Sequence, residues 1–337
     1  MQSITLAMIG FGNVGQAFAR LLERKQLELQ ASYSLKISVS GIFTRSHGCI
    51  LQPHGVDLSH VLELAKNGKP IGGQSFDDAI AFLHASRADV LLENSSVNVT
   101  DGEPARSYME AALVQGMHVV TANKGPIVYA HEQLLEIARQ HSKVLRFEST
   151  VMDGTPIFSL WRECLPAASL TGFRGILNST TNLVLSLMES GLTFTSAVEH
   201  AQELGLAETD PSGDIEGWDA AIKVAALVRV LLHTPFTPVD VSREGISAIT
   251  RADVLAALQQ GKRWKLVCDM RRDVETIHAS VQPELLSAGD PLYSVMGSST
   301  AVTFTSDVLG PLTISAQDPL PSTTAYGLLA DLLSIYR

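Results

Sequence analysis

The feature that most constrains this chain is a glycine-rich segment close to its start. Residues 4–9 are apolar, Gly10, Gly12 and Gly15 follow in the pattern Gly-x-Gly-x-x-Gly, and apolar residues at helical spacing come next. A strand, this pattern and a helix together predict a dinucleotide-binding turn, although a glycine-rich turn without a ligand is the alternative. The residues expected to line the cofactor here are Gly10, Phe11, Gly12, Asn13, Val14 and Gly15.

Strand-like and helix-like segments alternate through the first half of the chain. Apolar runs indicate strands at 36–43, 90–92, 118–121 and 144–147, and periodic segments indicate helices at about 76–86, 103–115 and 131–141. Such alternation is typical of right-handed βαβ crossovers and of a parallel sheet covered on both faces.

The pattern changes after about residue 150. Strand-like segments occur at 171–177, 266–270 and 276–281, and helical segments at 180–190, 195–204, 216–232 and 251–260. We therefore predict the α/β class: a Rossmann-like parallel-sheet nucleotide domain at 1–150, followed by an α+β substrate and dimerisation domain at 151–321. The last segment, 322–337, is predicted to be a helix that returns to the nucleotide domain.

Charge and cysteine usage exclude several classes of protein. The net charge of −10 and the lack of a basic stripe argue against a nucleic-acid-binding protein, because phosphate contacts require a basic surface. The three cysteines are far apart, which fits neither a disulfide framework nor a structural zinc site. The apolar start lacks the charged region of a signal peptide, and no uncharged apolar run reaches membrane-spanning length. These features predict a cytoplasmic protein with no membrane partner.

The choice of nicotinamide cofactor depends on the end of the second strand. An acidic residue there usually binds the ribose 2′-hydroxyl of NAD, but residues 41–47 contain none. Arg45 lies there instead, and a guanidinium suits a 2′-phosphate. NADP is therefore the preferred cofactor and NAD the second choice, with a solvated surface arginine as the alternative explanation of Arg45.

Two lysines are candidates for acid–base chemistry. Lys124 follows the strand 118–121, at the edge of an open α/β sheet where ligands bind, although many lysines at such positions are only solvated charges. Lys223 is four residues after Asp219 in a predicted helix that is apolar around most of its circumference. This spacing indicates an ion pair, either an ordinary surface pair or a lysine oriented by its aspartate in a crevice.

Metal and cysteine chemistry are less compatible with the sequence. Glu208, Asp210 and Asp214 lack the spacing of an EF-hand, and no histidine lies near them at ligand spacing. Cys164 has an apolar flank and no matched histidine, which argues against a cysteine nucleophile.

The chain resembles homoserine dehydrogenase, in the short form without a regulatory ACT domain. Matching segments occur in the order of that family through nearly the whole chain: 10–15, 93–98 (Glu-Asn-Ser-Ser-Val-Asn), 121–126 (Thr-Ala-Asn-Lys-Gly-Pro), 148–156, 175–182, 208–223, 243–246 and 249–250. The resemblance implies reversible NAD(P)-dependent interconversion of L-homoserine and L-aspartate 4-semialdehyde, a step in threonine, methionine and isoleucine biosynthesis, and a homodimer.

The resemblance also implies roles for individual residues. Lys124 and Lys223 would be the acid–base pair at the reacting oxygen, and Asp219 would orient Lys223 or a water molecule. Glu208 would bind the substrate α-ammonium group, and Asp214 would help to shape the site. Further members are Ser95 and Ser96 at the cofactor and, for a structural sodium ion, Glu148, Val151, Asp153 and Thr155.

Three departures from the family pattern are present in the sequence. Asp153 occupies a position that is usually glycine, and Ser315-Ala-Gln-Asp-Pro319 replaces a glycine-rich loop near the cofactor. Upstream, Ser298-Ser-Thr-Ala-Val302 lacks an expected asparagine. One alternative function is an NADP-binding paralogue without catalysis, which the altered 315–319 loop alone supports. The other is a dehydrogenase of another amino-acid-derived semialdehyde.

Overall fold

The computed structural model describes residues 1–274 and 276–337. The chain divides into two compact units, one formed by Met1–Pro156 with Leu320–Arg337 and the other by Ile157–Pro319. Among the helices within the described residues, none has the length and apolar character needed to cross a bilayer.

The first unit contains a six-stranded sheet in the order β3-β2-β1-β4-β5-β6. Its strands are β1 (Gln2–Ile9), β2 (Leu35–Phe43), β3 (Cys49–Leu51), β4 (Val90–Glu93), β5 (His118–Thr121) and β6 (Leu145–Arg146). All neighbours pair in parallel except β2 and β3, which are antiparallel. This confirms the predicted nucleotide-type parallel sheet. The short edge strand β3 is absent from the sequence prediction.

Helices cover both faces of this sheet. They are α1 (Asn13–Tyr33), α2 (Leu58–Lys66), α3 (Ala79–Ser86), α4 (Ala105–Val114), α5 (Lys124–Gln140) and α11 (Pro321–Ile335). Phe18 of α1 is fully buried and shares one core cluster with Leu6 of β1 and Leu328 and Leu332 of α11. Burial of one such side chain stabilises the fold by about 1.5–3 kcal/mol. The final helix of the chain therefore packs within the first unit.

Helix α5 begins earlier than the sequence predicts. Its first residue is Lys124, not a residue near 131, and Asn123 caps it by accepting a hydrogen bond from the Gly125 N–H. The backbone leaves helical geometry at Ala130, where φ is −141°. The predicted segment 131–141 thus corresponds only to the part of α5 that follows this kink.

The second unit is built on a mixed sheet in the order β12-β11-β7-β9-β10-β8. Its strands are β7 (Leu170–Ile176), β8 (Ser242–Arg243), β9 (Lys262–Arg272), β10 (Ile277–Ser287), β11 (Thr300–Ser306) and β12 (Leu312–Ala316). Its helices are α6 (Ser179–Glu189), α7 (Phe194–Glu203), α8 (Ser212–Ile215), α9 (Trp218–Leu232) and α10 (Arg251–Gln259). Residues 220–222 and 224–228 of α9 are all buried, which accounts for a sequence that is apolar around most of the helix.

A fully buried lysine lies in the sheet of the second unit. The Lys265 ammonium on β9 donates to Asn182 Oδ1 of α6 at 2.8 Å and to the Val295 carbonyl at 2.6 Å. Burial lowers the pKa of Lys265 to about 8, with Glu189 opposing this shift and Arg263 adding to it. A buried positive charge costs free energy. The contribution of Lys265 to the free energy of unfolding is therefore least favourable below about pH 8, where its side chain is protonated in the native state.

We expect Lys265→Met to change the pH dependence of stability. In the unfolded chain Lys265 titrates near 10.5, so between pH 8 and 10.5 the unfolded state binds more protons and the wild type gains stability as the pH rises. Urea denaturation at pH 7.5 and 9.5 should show the wild type gaining on the order of 1–2 kcal/mol relative to Lys265→Met. The exposed Lys69→Met is the control, and the same pattern in that variant would contradict the assignment.

Candidate active site

The glycine turn between β1 and α1 has the geometry of a dinucleotide cradle. Gly10 has a φ of +91°, and a Cβ there would lie 2.3 Å from the Asn94 carbonyl oxygen. A Cβ on Gly15 would lie 2.9 Å from the Gly10 carbonyl oxygen, whereas one on Gly12 would enter open space. Gly12 also begins α1 as its N-cap, so unpaired N–H groups point toward that space. The side-chain amide of Asn94 beside the turn is buried without a hydrogen-bond partner among the described residues.

Arg45 lies in the segment between β2 and β3 and is exposed. This segment is turned by Thr44, whose hydroxyl donates to the Gly48 carbonyl at 2.8 Å and accepts from the His47 N–H. The position agrees with a residue beyond the carboxyl end of the second strand, where the adenosine ribose of a dinucleotide binds.

Three strand ends bring the other predicted residues of the first unit to one edge of the sheet. Ile9, Glu93 and Thr121 are aligned in register as the last residues of β1, β4 and β5. The glycine turn, the segment containing Ser95 and Ser96, and the turn containing Lys124 follow them directly. Lys124 is half-buried at the first position of α5. The glycine turn, Ser95, Ser96 and Lys124, all predicted as site residues, therefore lie at the same edge of the sheet.

Lys223 and Asp219 form the ion pair that their spacing predicts. Lys223 Nζ lies 2.9 Å from Asp219 Oδ2 and donates to the Leu177 carbonyl at 2.8 Å. Their side chains are only 15% and 21% exposed, so the pair is largely shielded from solvent. The thiol of Cys268 is buried within electrostatic range of this pair, and burial raises its pKa to about 12.

Asn178 connects this pair to the preceding acidic segment. Its Nδ2 donates to Asp214 Oδ1 at 2.6 Å and to Asp219 Oδ2 at 2.8 Å, while its Oδ1 caps α6 by accepting from the Thr181 N–H. Sequence reasoning missed this role, because Asn178 precedes Asp214 by 36 residues. The only local signal is an asparagine followed by Ser-Thr-Thr at a helix start.

Glu208 remains apart from these contacts. Its side chain is exposed, and its backbone carbonyl accepts from Gln202 Nε2 at 3.0 Å. The structure thus groups Asp214, Asp219 and Lys223 through Asn178 and leaves Glu208 on the exposed segment that precedes α8.

The predicted cation segment folds as an irregular turn against α11. The Glu148 N–H donates to Asp331 Oδ2 at 2.7 Å, and the Ser149 hydroxyl donates to the Thr324 carbonyl at 2.9 Å. Glu148 and Val151 are buried. The described residues contain no group of three or more His, Cys, Asp or Glu side chains able to hold a metal, so a cation here would depend mainly on carbonyl oxygens. Such an oxygen donor set suits a hard ion.

Comparison with known proteins agrees with this geometry. The family model for the NAD-binding domain of homoserine dehydrogenase matches residues 10–148, and the homoserine dehydrogenase model matches residues 156–333. The chain belongs to the homoserine dehydrogenase family. It is therefore an oxidoreductase with a dinucleotide-binding domain. Family membership favours dehydrogenase activity over an NADP-binding paralogue without catalysis.

Individual relatives extend over the whole chain. The NAD(+)-dependent homoserine dehydrogenase of Pseudomonas canavaninivorans is 38% identical, and the alignment covers all of this chain and 97% of the relative. Homoserine dehydrogenase of Methanocaldococcus jannaschii is 34% identical over 98% of both chains. The crystal structure of homoserine dehydrogenase from Thermoplasma acidophilum superposes with a TM-score of 0.86 at 27% identity, covering 99% of each chain.

The two late departures from the family pattern contact each other. Asp318 Oδ1 accepts from the Ser298 hydroxyl at 3.1 Å, and the Asp318 N–H donates to Ser299 Oγ at 3.2 Å. Asp318 has a φ of +40°, a conformation that favours glycine. The hydroxyls of Ser298 and Ser299 therefore hold Asp318 in this conformation.

The third departure, Asp153, has a comparable local explanation. Its φ is +52°, and its Oδ1 accepts from the Thr324 hydroxyl at 2.7 Å. Aspartate tolerates the left-handed region better than most residues, and the hydrogen bond offsets part of the remaining strain.

We expect Asp153→Ala to be more destabilising than Asp153→Gly. Alanine keeps the left-handed strain and loses the hydrogen bond, for a total of roughly 1–3 kcal/mol, whereas glycine loses only the bond. Urea denaturation of both variants and of Thr324→Val, which removes the donor alone, measures the two contributions. Equal losses for alanine and glycine would show that the backbone at Asp153 is not strained.

Proposed function

We propose that the chain catalyses the reversible NAD(P)-dependent interconversion of L-homoserine and L-aspartate 4-semialdehyde. The observation that carries this proposal is the shielded Lys223–Asp219 pair, held by Asn178 and the Leu177 carbonyl in a member of the homoserine dehydrogenase family. An amine fixed in this way can exchange a proton with a substrate hydroxyl, which is the proton chemistry that alcohol oxidation requires.

The proposed roles follow from the charge that develops in the reaction. In the oxidative direction the homoserine hydroxyl would transfer its proton to Lys223. The carbon that bears this hydroxyl would lose a hydride to the nicotinamide cofactor. In the reductive direction the Lys223 ammonium returns that proton to the aldehyde oxygen. Asp219 would favour the charged form of Lys223 by pairing with it. Lys124 would stabilise the negative charge that develops on the reacting oxygen of the substrate.

Substrate binding is assigned to the acidic segment. Glu208 would pair with the α-ammonium group of homoserine, and Asp214, fixed by Asn178, would set the shape of the site. The nicotinamide cofactor, when bound, supplies or accepts the hydride. It would be held by the glycine turn together with Phe11, Asn13, Val14, Arg45, Ser95 and Ser96.

Three further assignments accompany the function. A structural sodium ion would be bound by oxygens of Glu148, Val151, Asp153 and Thr155, whose turn packs on α11 and offers a suitable donor set. We also propose a homodimer and a cytoplasmic location, on the family resemblance and on the composition of the chain.

The function is tested by nicotinamide absorbance with purified protein, L-homoserine, and NAD or NADP in parallel. We expect cofactor reduction that depends on homoserine, and a loss of at least about 100-fold in kcat for Lys223→Ala, because the proton acceptor is removed. The cofactor dissociation constant of Lys223→Ala, measured by fluorescence titration, should stay near that of the wild type. Lys66→Ala, an exposed lysine of α2, is the control.

Either of two results would contradict this assignment. Normal turnover in Lys223→Ala would exclude the lysine as the acid–base group. Cofactor binding by the wild type without homoserine-dependent reduction would exclude the reaction itself and favour a paralogue that binds nucleotide only.

For the cofactor we propose a preference for NADP, supported by Arg45 and by the lack of a carboxylate in residues 41–47. The relative from Pseudomonas canavaninivorans is named NAD(+)-dependent, so the preference needs its own test. A guanidinium at this position would engage a 2′-phosphate but has little to bind in NAD.

Arg45→Ala should therefore raise the KM for NADP by about 10-fold or more, because a charge-assisted hydrogen bond to the 2′-phosphate is lost. The KM for NAD should change less than about twofold. Steady-state kinetics with each cofactor measure the two effects. Arg24→Ala, an exposed arginine of α1, controls for a change in surface charge. The same change in KM for both cofactors would remove Arg45 from the 2′-phosphate site.

A further inference from the structure

Glu93 is a fully buried carboxylate at the edge of the sheet where the predicted cofactor residues and Lys124 lie. It is the last residue of β4 and stands in register between Ile9 of β1 and Thr121 of β5. The glycine turn follows Ile9, Ser95 follows Glu93, and Lys124 follows Thr121 by three positions. Glu93 therefore lies in the middle of these three connections.

Each oxygen of Glu93 binds a different connection. Oε1 accepts from the Ser95 N–H at 2.8 Å and from the Ser95 hydroxyl. Oε2 accepts from the Thr121 hydroxyl at 2.9 Å. The carboxylate thus joins the segment that contains Ser95 to the end of β5.

The second contact continues toward Lys124. The Thr121 hydroxyl accepts from the Asn123 N–H at 2.9 Å, and the Asn123 side chain caps α5 and donates to the Ser95 carbonyl at 3.4 Å. Because Lys124 is the first residue of α5, this chain of bonds sets the start of the helix that presents it.

The first contact continues toward the glycine turn. The Asn94 N–H donates to the Ile9 carbonyl at 2.8 Å, and the peptide between Asn94 and Ser95 lies so close to Gly10 that no Cβ would fit. The segment that Glu93 fixes is thus one wall of the dinucleotide cradle.

Burying a carboxylate to make this connection costs folding free energy. Burial raises the pKa of Glu93, and the hydrogen bonds from Ser95, Thr121 and Asn123 oppose that shift. A buried carboxylate stabilised only by such neutral donors costs free energy that an apolar side chain would not, so stability alone does not explain its presence. What the carboxylate provides is two acceptors at fixed positions, one for each neighbouring connection.

We propose that Glu93 is a positioning residue for the reaction, which holds Ser95 against the cofactor and the Thr121–Asn123 turn that presents Lys124. The inference rests on the proposed function and assigns it a residue that touches neither substrate nor reacting atoms. Because one side chain sets both connections, its loss should affect cofactor binding and turnover together.

Glu93→Gln tests this directly. Glutamine keeps the shape but replaces one acceptor with an NH2 group, so either the Ser95 N–H loses its partner or the Thr121 hydroxyl keeps only the Glu93 backbone carbonyl, at 3.1 Å. We expect kcat to fall between about 10-fold and 100-fold and the cofactor dissociation constant to rise, because small displacements of catalytic groups are costly. The KM for homoserine should stay within about twofold, since Glu208 and Asp214 are unchanged.

Asp89→Asn is the matched control at the opposite edge of the same sheet. The Asp89 carboxylate accepts from the Thr5 N–H and the Thr5 hydroxyl, both at 2.7 Å, which is the same kind of contact as that between Glu93 and Ser95. A role limited to folding would lower the melting temperature in both variants and leave the kinetic constants of both near those of the wild type.

Thr121→Val separates the contact between Glu93 and Thr121 from the contact between Glu93 and Ser95. It also provides the test if Glu93→Gln does not fold. It removes the hydroxyl that links Glu93 to Asn123 and keeps the bonds to Ser95, so kcat should fall while cofactor affinity stays near the wild-type value. Unchanged kcat in Thr121→Val, or unchanged kcat and cofactor affinity in a folded Glu93→Gln, would overturn the inference while the wild type remains active. A wild type without homoserine-dependent turnover would instead remove the proposed function, and the inference with it.

Discussion

A charged group that leaves water must find hydrogen-bond partners, and this constraint determines how both units hold Glu93 and Lys223. In the first unit the buried Glu93 is bound by Ser95 and Thr121. In the second unit Lys223 is bound by Asp219 and the Leu177 carbonyl. In each case the partners end a strand, directly follow one, or lie at the start of a helix. The polar contacts therefore fix the connections between elements, while the apolar side chains fix the elements themselves.

The features that were predictable from the sequence are those with local causes. The apolar runs of β1, β4 and β5 mark buried parallel strands, and the glycine pattern after β1 requires the turn that the structure shows at Gly10. The pairing of Asp219 with Lys223 follows from helical spacing alone. These features need no knowledge of distant parts of the chain, and the parallel sheet of the nucleotide unit follows from them.

The features that were missed depend on distant partners or on weak local patterns. Strands β11 and β12 lie in a segment rich in threonine and serine, and only pairing with β7 and with each other makes them strands. Asn178 bridges two carboxylates more than 30 residues further along the chain. The start of α5 was placed too late because the helix contains Gly125 and Pro126 in its first turn and a kink at Ala130.

The same reasoning explains why the departures from the family pattern are compatible with its fold. A lone aspartate in a left-handed backbone conformation would be a strained substitution, yet both Asp153 and Asp318 have hydroxyl partners, Thr324 for the first and Ser298 and Ser299 for the second. At each of the two positions a hydroxyl partner thus accompanies the left-handed backbone. Neutral donors perform this task here as they do at Glu93. Because these donors hold an aspartate or glutamate in place without adding a countercharge, they fix the local geometry and leave the charge of their surroundings unchanged.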